Sequence, residues 1–454
     1  MIHPMDATGS AERLNVMAQR LAVSRCIADI DEQISQLLHE ITVHPDFQSL
    51  KSGWYGLRYL VEGTSATSVS VRMLDMSYAE LLKDFDCSIE FDQSHLFHKI
   101  YSQEFGTAGG RPYGVVLCDH QVNLQTQASL NTYIGYLQHL AQIGAAAFCP
   151  FLLGAPPALL DLDDYDQLSG RINLDTTYRQ LKFLKWNRFR SHLDTRFIGM
   201  ALPRVLIDTP VHLRSDSGFI VREALATRSS GCFTWMSPVY SLGRTLASCY
   251  EATGWLAEIC GVKEHGATIN ENASGFSSLV DDYPCLQTEK LVHDELSQSL
   301  ADYGFISLTS TTNSAKTVVY TAPSVHNPPG YDDDAAQHNA RYAAQLQYVL
   351  CVSRFSHYLK ILMRDKVGSF TSVDECQAFL KNWLLKYVMS TSDASEHLLA
   401  KYPLREAQVS VFELPGQAGV FKCVVRLTPH YQLECVETEL LFSTDVVRSG
   451  LRNE

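Results

Sequence analysis

Near the start of the chain, apolar residues return at helical spacing. Leu14, Met17 and Leu21 stand three and four apart, and Ile27, Ile30, Ile34, Leu37 and Ile41 continue at heptad intervals. The pattern predicts one long helix over Ala11–Val43. Pro45 ends it, because the residue before a proline is pushed out of helical geometry. Such a stripe serves either a helix lying on its own core or a helix that docks a partner chain, and periodicity does not separate the two.

From about Asp46 to Pro323, strand and helix signals alternate. Ser68–Leu74 has the period of two of a half-buried strand. Gly114–Leu117 suits a short buried strand, and Phe197–Ile207 another, interrupted by Pro203. Leu130–Ala147 predicts an apolar helix whose small residues from Gly144 to Ala147 permit close packing. Phe305–Leu308 and Thr317–Tyr320 read as a strand pair, and the whole as a mixed α/β layer domain. Ser324–Asp334 breaks this rhythm, with Pro328-Pro329-Gly330 and Asp332-Asp333-Asp334 turn-rich and charged.

Beyond the break, Leu346–Met363 and Asp374–Val388 predict helices, with Ser372 placed to cap the second. Gln408–Phe412, Val420–Leu427 and Leu433–Phe442 predict three strands, and the polar tail holding Asp445, Arg448, Arg452 and Glu454 is unlike a continued strand. A hairpin plus a terminal strand leaves a sheet edge of free N–H and C=O groups. That edge is closed either within its own sheet or by a strand from another chain. The expected organisation is an N-terminal helical arm over 1–45, a middle mixed α/β domain over 46–323, a linker over 324–335 and a C-terminal domain over 336–454.

Composition narrows the function. A net charge of -13 over 454 residues argues against nucleic-acid binding and against docking on anionic lipid, both of which need a basic surface. The start lacks a basic stretch followed by an apolar run, and the longest apolar run, Ile143–Pro157, is interrupted by Gly and Pro. A cytoplasmic protein without membrane insertion is therefore expected. The twelve cysteines form no C-x-x-C pair and read mostly as small core residues of a reducing compartment.

The familiar chemical motifs are absent or broken. There is no G-x-x-x-x-G-K-[ST] and no G-x-S-x-G. Gly106, Gly109, Gly110 and Gly114 precede a strand instead of joining a strand to a helix, so they read as a turn and not as a phosphate cradle. His39-Glu40 and His44 fail zinc spacing, the histidines being five apart where one helix face needs four. Asp161, Asp163, Asp164 and Asp166 imitate a calcium loop, but Asp166 replaces its glycine and Ile172 its bidentate glutamate. Cys118-Asp119-His120 is the strongest enzyme cue: on a strand, Cys118 and His120 would share one face, yet no third group is visible to orient the base. His357 and His430 read as buried or capping histidines, and Trp54, Trp186, Trp255 and Trp383 as core anchors. Arg190, Arg196, Arg204 and Arg405 are suited to planar ion pairs, in domain packing or at subunit contacts. No catalytic, cofactor or metal residue is predicted.

A set of ordered blocks carries a further reading. His44-Pro45-Asp46-Phe47-Gln48, Trp54, Gly110-Arg111-Pro112-Tyr113-Gly114, Leu202-Pro203-Arg204, Gly254-Trp255 and Gly304-Phe305-Ile306 precede Arg354-Phe355-Ser356-His357-Tyr358-Leu359-Lys360. Trp383, Pro403-Leu404-Arg405-Glu406-Ala407 and Pro429-His430-Tyr431-Gln432-Leu433-Glu434 come after it. From about Ile27 to Phe442 this order resembles the large subunit of the type VI secretion contractile sheath, a relative of phage tail sheaths. The resemblance implies a structural protein with a phage-tail-sheath-like, multidomain α/β (mixed α+β) fold, a long N-terminal helix and a C-terminal β-rich domain.

It also implies partners. A small sheath subunit would dock on Leu14, Met17, Leu21 and Ile27, the part of the helix before Asp31. Further copies of the chain would join a helical polymer through a terminal strand carrying Leu433, Cys435, Leu440 and Phe442. An inner tube of hexameric rings and a baseplate complete the set. Family members usually carry a longer extension before the long helix, where a Clp-family ring ATPase engages, so the resemblance does not extend recycling by that ATPase to this chain. The departure reads as that of a divergent paralogue. Two other classes stand beside this reading: a sheath-like adaptor that does not polymerise, and an enzyme using Cys118 and His120.

Overall fold

The computed structural model describes residues 6–65, 67–107, 109–168, 172–208, 233–256, 259–261, 267–269, 287–310, 316–366, 373–390, 396–413, 421–430 and 440–446. The chain begins with α1 (Asp6–Val43), one helix of 38 residues, as the heptad stripe predicts. α1 ends before Pro45, as read from the proline, and after the non-helical His44 a second helix begins. Pro45 takes the first turn of α2 (Pro45–Glu62), where its missing N–H costs nothing, and the His44 side chain accepts from Asp46 N. Next come α3 (Tyr78–Cys87), with a Ser77/Glu80 capping box, and the short helices α4 (His95–Phe97) and α5 (Gln103–Gly106).

Ser68–Leu74 is not a strand. It runs as exposed irregular chain, and among the described residues its alternating valines meet no partner strand that would supply ladder hydrogen bonds.

The centre is a six-stranded sheet in the order β1 (Val116–Cys118), β2 (Phe151–Gly154), β3 (Ile198–Leu202), β7 (Phe305–Ser310), β8 (Lys316–Val319), β6 (Ala267–Ile269). The first four strands are parallel, while β7–β8 and β8–β6 are antiparallel. Parallel strands are buried on both faces, and the side chains divide accordingly. Phe151, Leu153, Ile198, Met200 and Phe305 enter one core, beneath α6 (Gln127–Ala147), α8 (Leu184–Arg190) and α10 (Asp294–Asp302). Leu152, Ala201, Ile306 and Leu308 enter the other, with α9 (Pro238–Thr253) and the start of α12 (Leu346–Lys366). Short α7 (Leu174–Tyr178) adds Leu174 and Tyr178 to the first core.

Gly144 on α6 permits the close approach read from the sequence: a Cβ there would lie 3.0 Å from both Cys149 O and Phe197 Cβ. The Phe197–Ile207 run turns at a cis Leu202–Pro203 bond and continues as β4 (Val205–Asp208), which pairs with β5 (Thr234–Met236) in a separate ribbon.

After α11 (Asp334–Ala343) and α12 come α13 (Val373–Leu384) and α14 (Glu396–Lys401). A second, antiparallel sheet closes the chain in the order β11 (Leu440–Val446), β10 (Phe421–Pro429), β9 (Leu404–Glu413). Its core joins Phe355, Leu380, Leu404, Val409, Cys423 and Val425. The third strand runs beyond Phe442 to Val446, contrary to the reading of a polar, non-strand end. Pairing draws on backbone N–H and C=O, which Asp445 supplies in register with Lys422 as well as an apolar residue would. Ser372 and residues 431–439 lie outside the described residues.

Candidate assembly interface

Two features of this fold leave apolar side chains or a strand edge exposed among the described residues. The first is α1. Met17, Leu21 and Ile27 are 71%, 55% and 54% exposed, and Ile30, Ile34, Leu37 and Ile41 are exposed as well. Leu14 lies in the same helix, its side chain outside the described set. At the C-terminal end of α1 the chain is tied to α2, where Gln48 Nε2 donates to Thr42 O at 2.6 Å and His44 N to Ile41 O at 3.2 Å. The five heptad positions from Ile27 to Ile41 are each about half exposed, so covering them would be worth roughly 5 kcal/mol.

The second helix continues the theme. Ser52, Gly56, Tyr59 and Leu60 face inward, with Ser52 Oγ donating to Trp235 O at 2.9 Å. Phe47, Leu50, Trp54 and Val61 are exposed on the other side. Trp54 is thus no core anchor: it is 57% exposed, because Gly56 and its neighbours bring the opposite face of α2 onto the Tyr240 ring. Sequence reasoning missed this stripe, although its spacing of three, four and seven was visible. Trp186 and Trp255 are buried as expected, and Trp383 packs partly buried at the second core.

The C-terminal sheet is the second such feature. β10 is central, pairing Leu427↔Leu440 and Val425↔Phe442 on one side and Val425↔Val409 on the other. Leu440 and Phe442 therefore stand in a strand of the chain's own sheet, and the outer edge of β11 has no further strand among the described residues. Leu433 and Cys435 lie outside them. On β9, Phe412 is exposed.

The chemical cues resolve into packing. β1 stops at Cys118, so strand alternation no longer governs His120. His120 Nε2 donates to Met76 O at 2.9 Å and Nδ1 faces the Tyr136 hydroxyl at 3.1 Å, which occupies both ring nitrogens. Burial pushes the Cys118 thiol up to about 12, the opposite of an activated nucleophile. The Tyr240 hydroxyl donates to Asp119 at 2.8 Å, and burial raises that carboxyl. In the acidic loop, Asp161 holds Lys182 and Asp164 caps Tyr165 N. Among the described residues, no group of three His, Cys, Asp or Glu side chains is arranged to hold a metal ion, and no helix is long and apolar enough to cross a membrane.

The arginines serve the interior. Arg190 donates to Val325 O at 3.1 Å and Asp302 O at 3.3 Å, and Arg204 makes a two-pronged pair with Glu289 at 2.8 and 2.5 Å. Arg405, by contrast, is exposed.

Among the described residues, then, the chemical cues are engaged in packing, while apolar faces of α1 and α2 are exposed and the outer edge of β11 carries no further strand. Comparison with known proteins gives the chain a family. Residues 24–326 match the EvpB/VC_A0108 tail sheath N-terminal domain, and residues 335–446 the tail sheath gpW/gp25-like domain of the same family. The type VI secretion system sheath protein TssC1 of Pseudomonas aeruginosa is 32% identical over 428 residues, covering 92% of this chain and 84% of that protein. The chain belongs to the EvpB/VC_A0108 tail sheath family, as a large-subunit type VI secretion sheath protein. Among solved structures, a chain of the anti-feeding prophage baseplate aligns with a TM-score of 0.41 and 10% identity, over 84% of each chain. A sheath tail protein from Listeria innocua aligns with a TM-score of 0.37 and 10% identity, over 77% of this chain and 60% of its own.

Proposed function

We propose that the chain pairs with a small sheath subunit, polymerises with further copies of itself around an inner tube, and ejects that tube by contraction from a baseplate in the cytoplasm. The observation that carries the reading is the bare heptad stripe of α1, with Met17 and Leu21 leading into Ile27–Ile41. A helix-in-groove contact is read by such anchors. The open edge of β11, with Leu440 and Phe442 on that strand, supports addition of a strand from a neighbouring copy. The arm, middle domain, linker and C-terminal domain divide at 45, 323 and 335 in this reading. Contraction then draws on interfaces with two arrangements, where a small difference per subunit is multiplied over many copies.

The test is co-expression with the small sheath subunit of the same locus, followed by electron microscopy of the lysate. Long hollow tubes are the expected result. A discrete soluble complex would favour the adaptor instead, and no interaction at all would overturn the reading. Removing residues 433–454 is expected to abolish tubes while leaving a folded core, and tubes that survive the deletion would refute strand addition.

A further inference from the structure

Helix α12 carries Arg354, His357, Lys360 and Arg364 at steps of three, three and four, so the four basic side chains share one side of the helix. That side faces elements of the first matched region. His357 Nε2 donates to Ala147 O at 3.0 Å and Lys360 Nζ to Ala146 O at 3.4 Å, both at the C-terminal end of α6. Orphan carbonyls and the negative end of the helix dipole make that terminus a cation site. Arg364 donates to Phe105 O at 3.2 Å, within the last turn of α5, and to Thr107 O at 3.0 Å, just past it. The Lys360 ammonium also sits over three rings, 4.5 Å from the centre of Phe148 and 5.1 Å from those of Tyr101 and Phe105. Arg354 lies over Tyr250 of α9 at 5.6 Å and over Tyr358 at 4.7 Å.

The seam is thus built on carbonyls and rings. Glu104, the acid next to Phe105 in sequence, is engaged elsewhere, by Arg72 Nη1 at 2.5 Å and Arg111 N at 2.7 Å. Burial lowers Lys360 to about 8 and His357 to about 3, so at neutral pH the seam holds a charged lysine and an uncharged histidine. The other side of the same helix packs chiefly on the second region: Phe355, Leu359 and Met363 enter the core shared with β9 and β10, which Trp255 of the first region also joins. One helix is therefore fastened to both matched regions: to the first by its basic side, by Leu346 and Leu350 and by Phe355 on Trp255, and to the second by its apolar side.

We propose that the Arg354–His357–Lys360–Arg364 stripe is a mechanical coupling that makes the two matched regions move as one lever, so that a displacement of the C-terminal sheet is delivered to the six-stranded sheet. The force it carries rests on the sheath reading; the coupling itself does not. It is tested first on the unmodified protein by amide hydrogen exchange. Coupled regions are expected to open together, the amides of α12 and of the last turns of α6 sharing one opening free energy. Exchange of α12 with β9–β10, independent of α6, would overturn the proposal even if no tubes formed.

The second arm is the double variant K360M/R364Q with the small subunit. Tubes are expected to assemble as before, while secretion of the tube protein falls at least tenfold and thermal unfolding splits into two steps. K360R alone, which keeps a cation over the rings, is expected to retain secretion within about twofold. Unchanged secretion together with a single unfolding step in the double variant would refute the coupling. Wild-type protein that makes no tubes would instead count against the sheath reading.

Discussion

Helices α1 and α12 are both long and both rich in aliphatic residues, yet they have opposite fates. Along α1 the apolar stripe from Ile27 to Ile41 stands in solvent. Along α12, Leu346, Leu350, Cys351, Phe355 and Leu359 are buried, and even the basic side chains are drawn inward. Hydrophobic periodicity says only that a helix has an apolar side; which surface covers that side is decided by the rest of the chain. α12 lies between two cores built from the chain's own sequence, whereas α1 carries a row of apolar residues left exposed among the described residues, the row proposed above to dock the small subunit. On the proposed reading, the pair separates what holds the subunit together from what joins it to others.

The largest effect is expected in α12. Phe355 stacks on Trp255 with ring centres 4.1 Å apart and meets Tyr387 and Trp383 edge-on. Phe355→Ala empties a site with 0% exposure and is expected to cost about 3–5 kcal/mol in denaturant unfolding. A loss near zero would break the contrast by placing α12 outside the cooperative core.

Acid gives the next effect. His326 and His357 are nearly fully buried, and desolvation lowers their pKa values to about 4 and about 3. Arg196 beside His326 pushes in the same direction. Their unfolded-state values lie near 6.5. Below that pH the unfolded chain takes up protons that the folded chain refuses, so stability falls as pH falls. The slope is about 1.4 kcal/mol per pH unit for each histidine down to about pH 4. Unfolding free energies at pH 7, 6 and 5 check this, and His357→Gln should make the slope shallower by up to about 1.4 kcal/mol per pH unit.

Much of this arrangement was legible in the sequence. The long helix, the apolar α6, the strand pair β7–β8, the turn at Pro203 and the C-terminal hairpin all arise from local periodicity and proline geometry, which act within a few residues. Ser68–Leu74 failed because alternation supplies faces and not a partner strand. Trp54 failed because a tryptophan serves a core or an interface equally well, and only the packing of Gly56 against Tyr240 shows which side of α2 is inner. The Cys118–His120 pair dissolved for a related reason. Its outcome depends on Met76 and Tyr136, residues distant in sequence that no short motif contains. The seam on α12 has no sequence signature, because its hydrogen-bond acceptors are backbone carbonyls and its rings are distant in sequence.

Gly56 sharpens the contrast within a single helix. A Cβ at this position would come within 2.4 Å of the Tyr240 ring, a rigid neighbour on α9. Gly56→Ala is expected to destabilise by about 1–3 kcal/mol through overpacking of the inner face of α2, read by a lower denaturant midpoint at unchanged slope. Substituting Leu50 on the outer face of the same helix should leave that midpoint nearly unmoved.

The smallest effect on the isolated chain, and the most telling for the assembly, belongs to Ile34→Glu. Ile34 is exposed in α1, and glutamate is at least as good a helix former as isoleucine, so the unfolding free energy should change by no more than about 0.5 kcal/mol. Binding is a different matter. A carboxylate forced into an apolar helix seam has no partner, and burying it unpaired is expected to weaken small-subunit affinity by at least about a hundredfold. Titration of the purified variant against the small subunit measures the second effect, and chemical denaturation the first. Stability lost in step with affinity would mean that α1 belongs to the fold as α12 does. Affinity lost alone would assign its stripe to the partner.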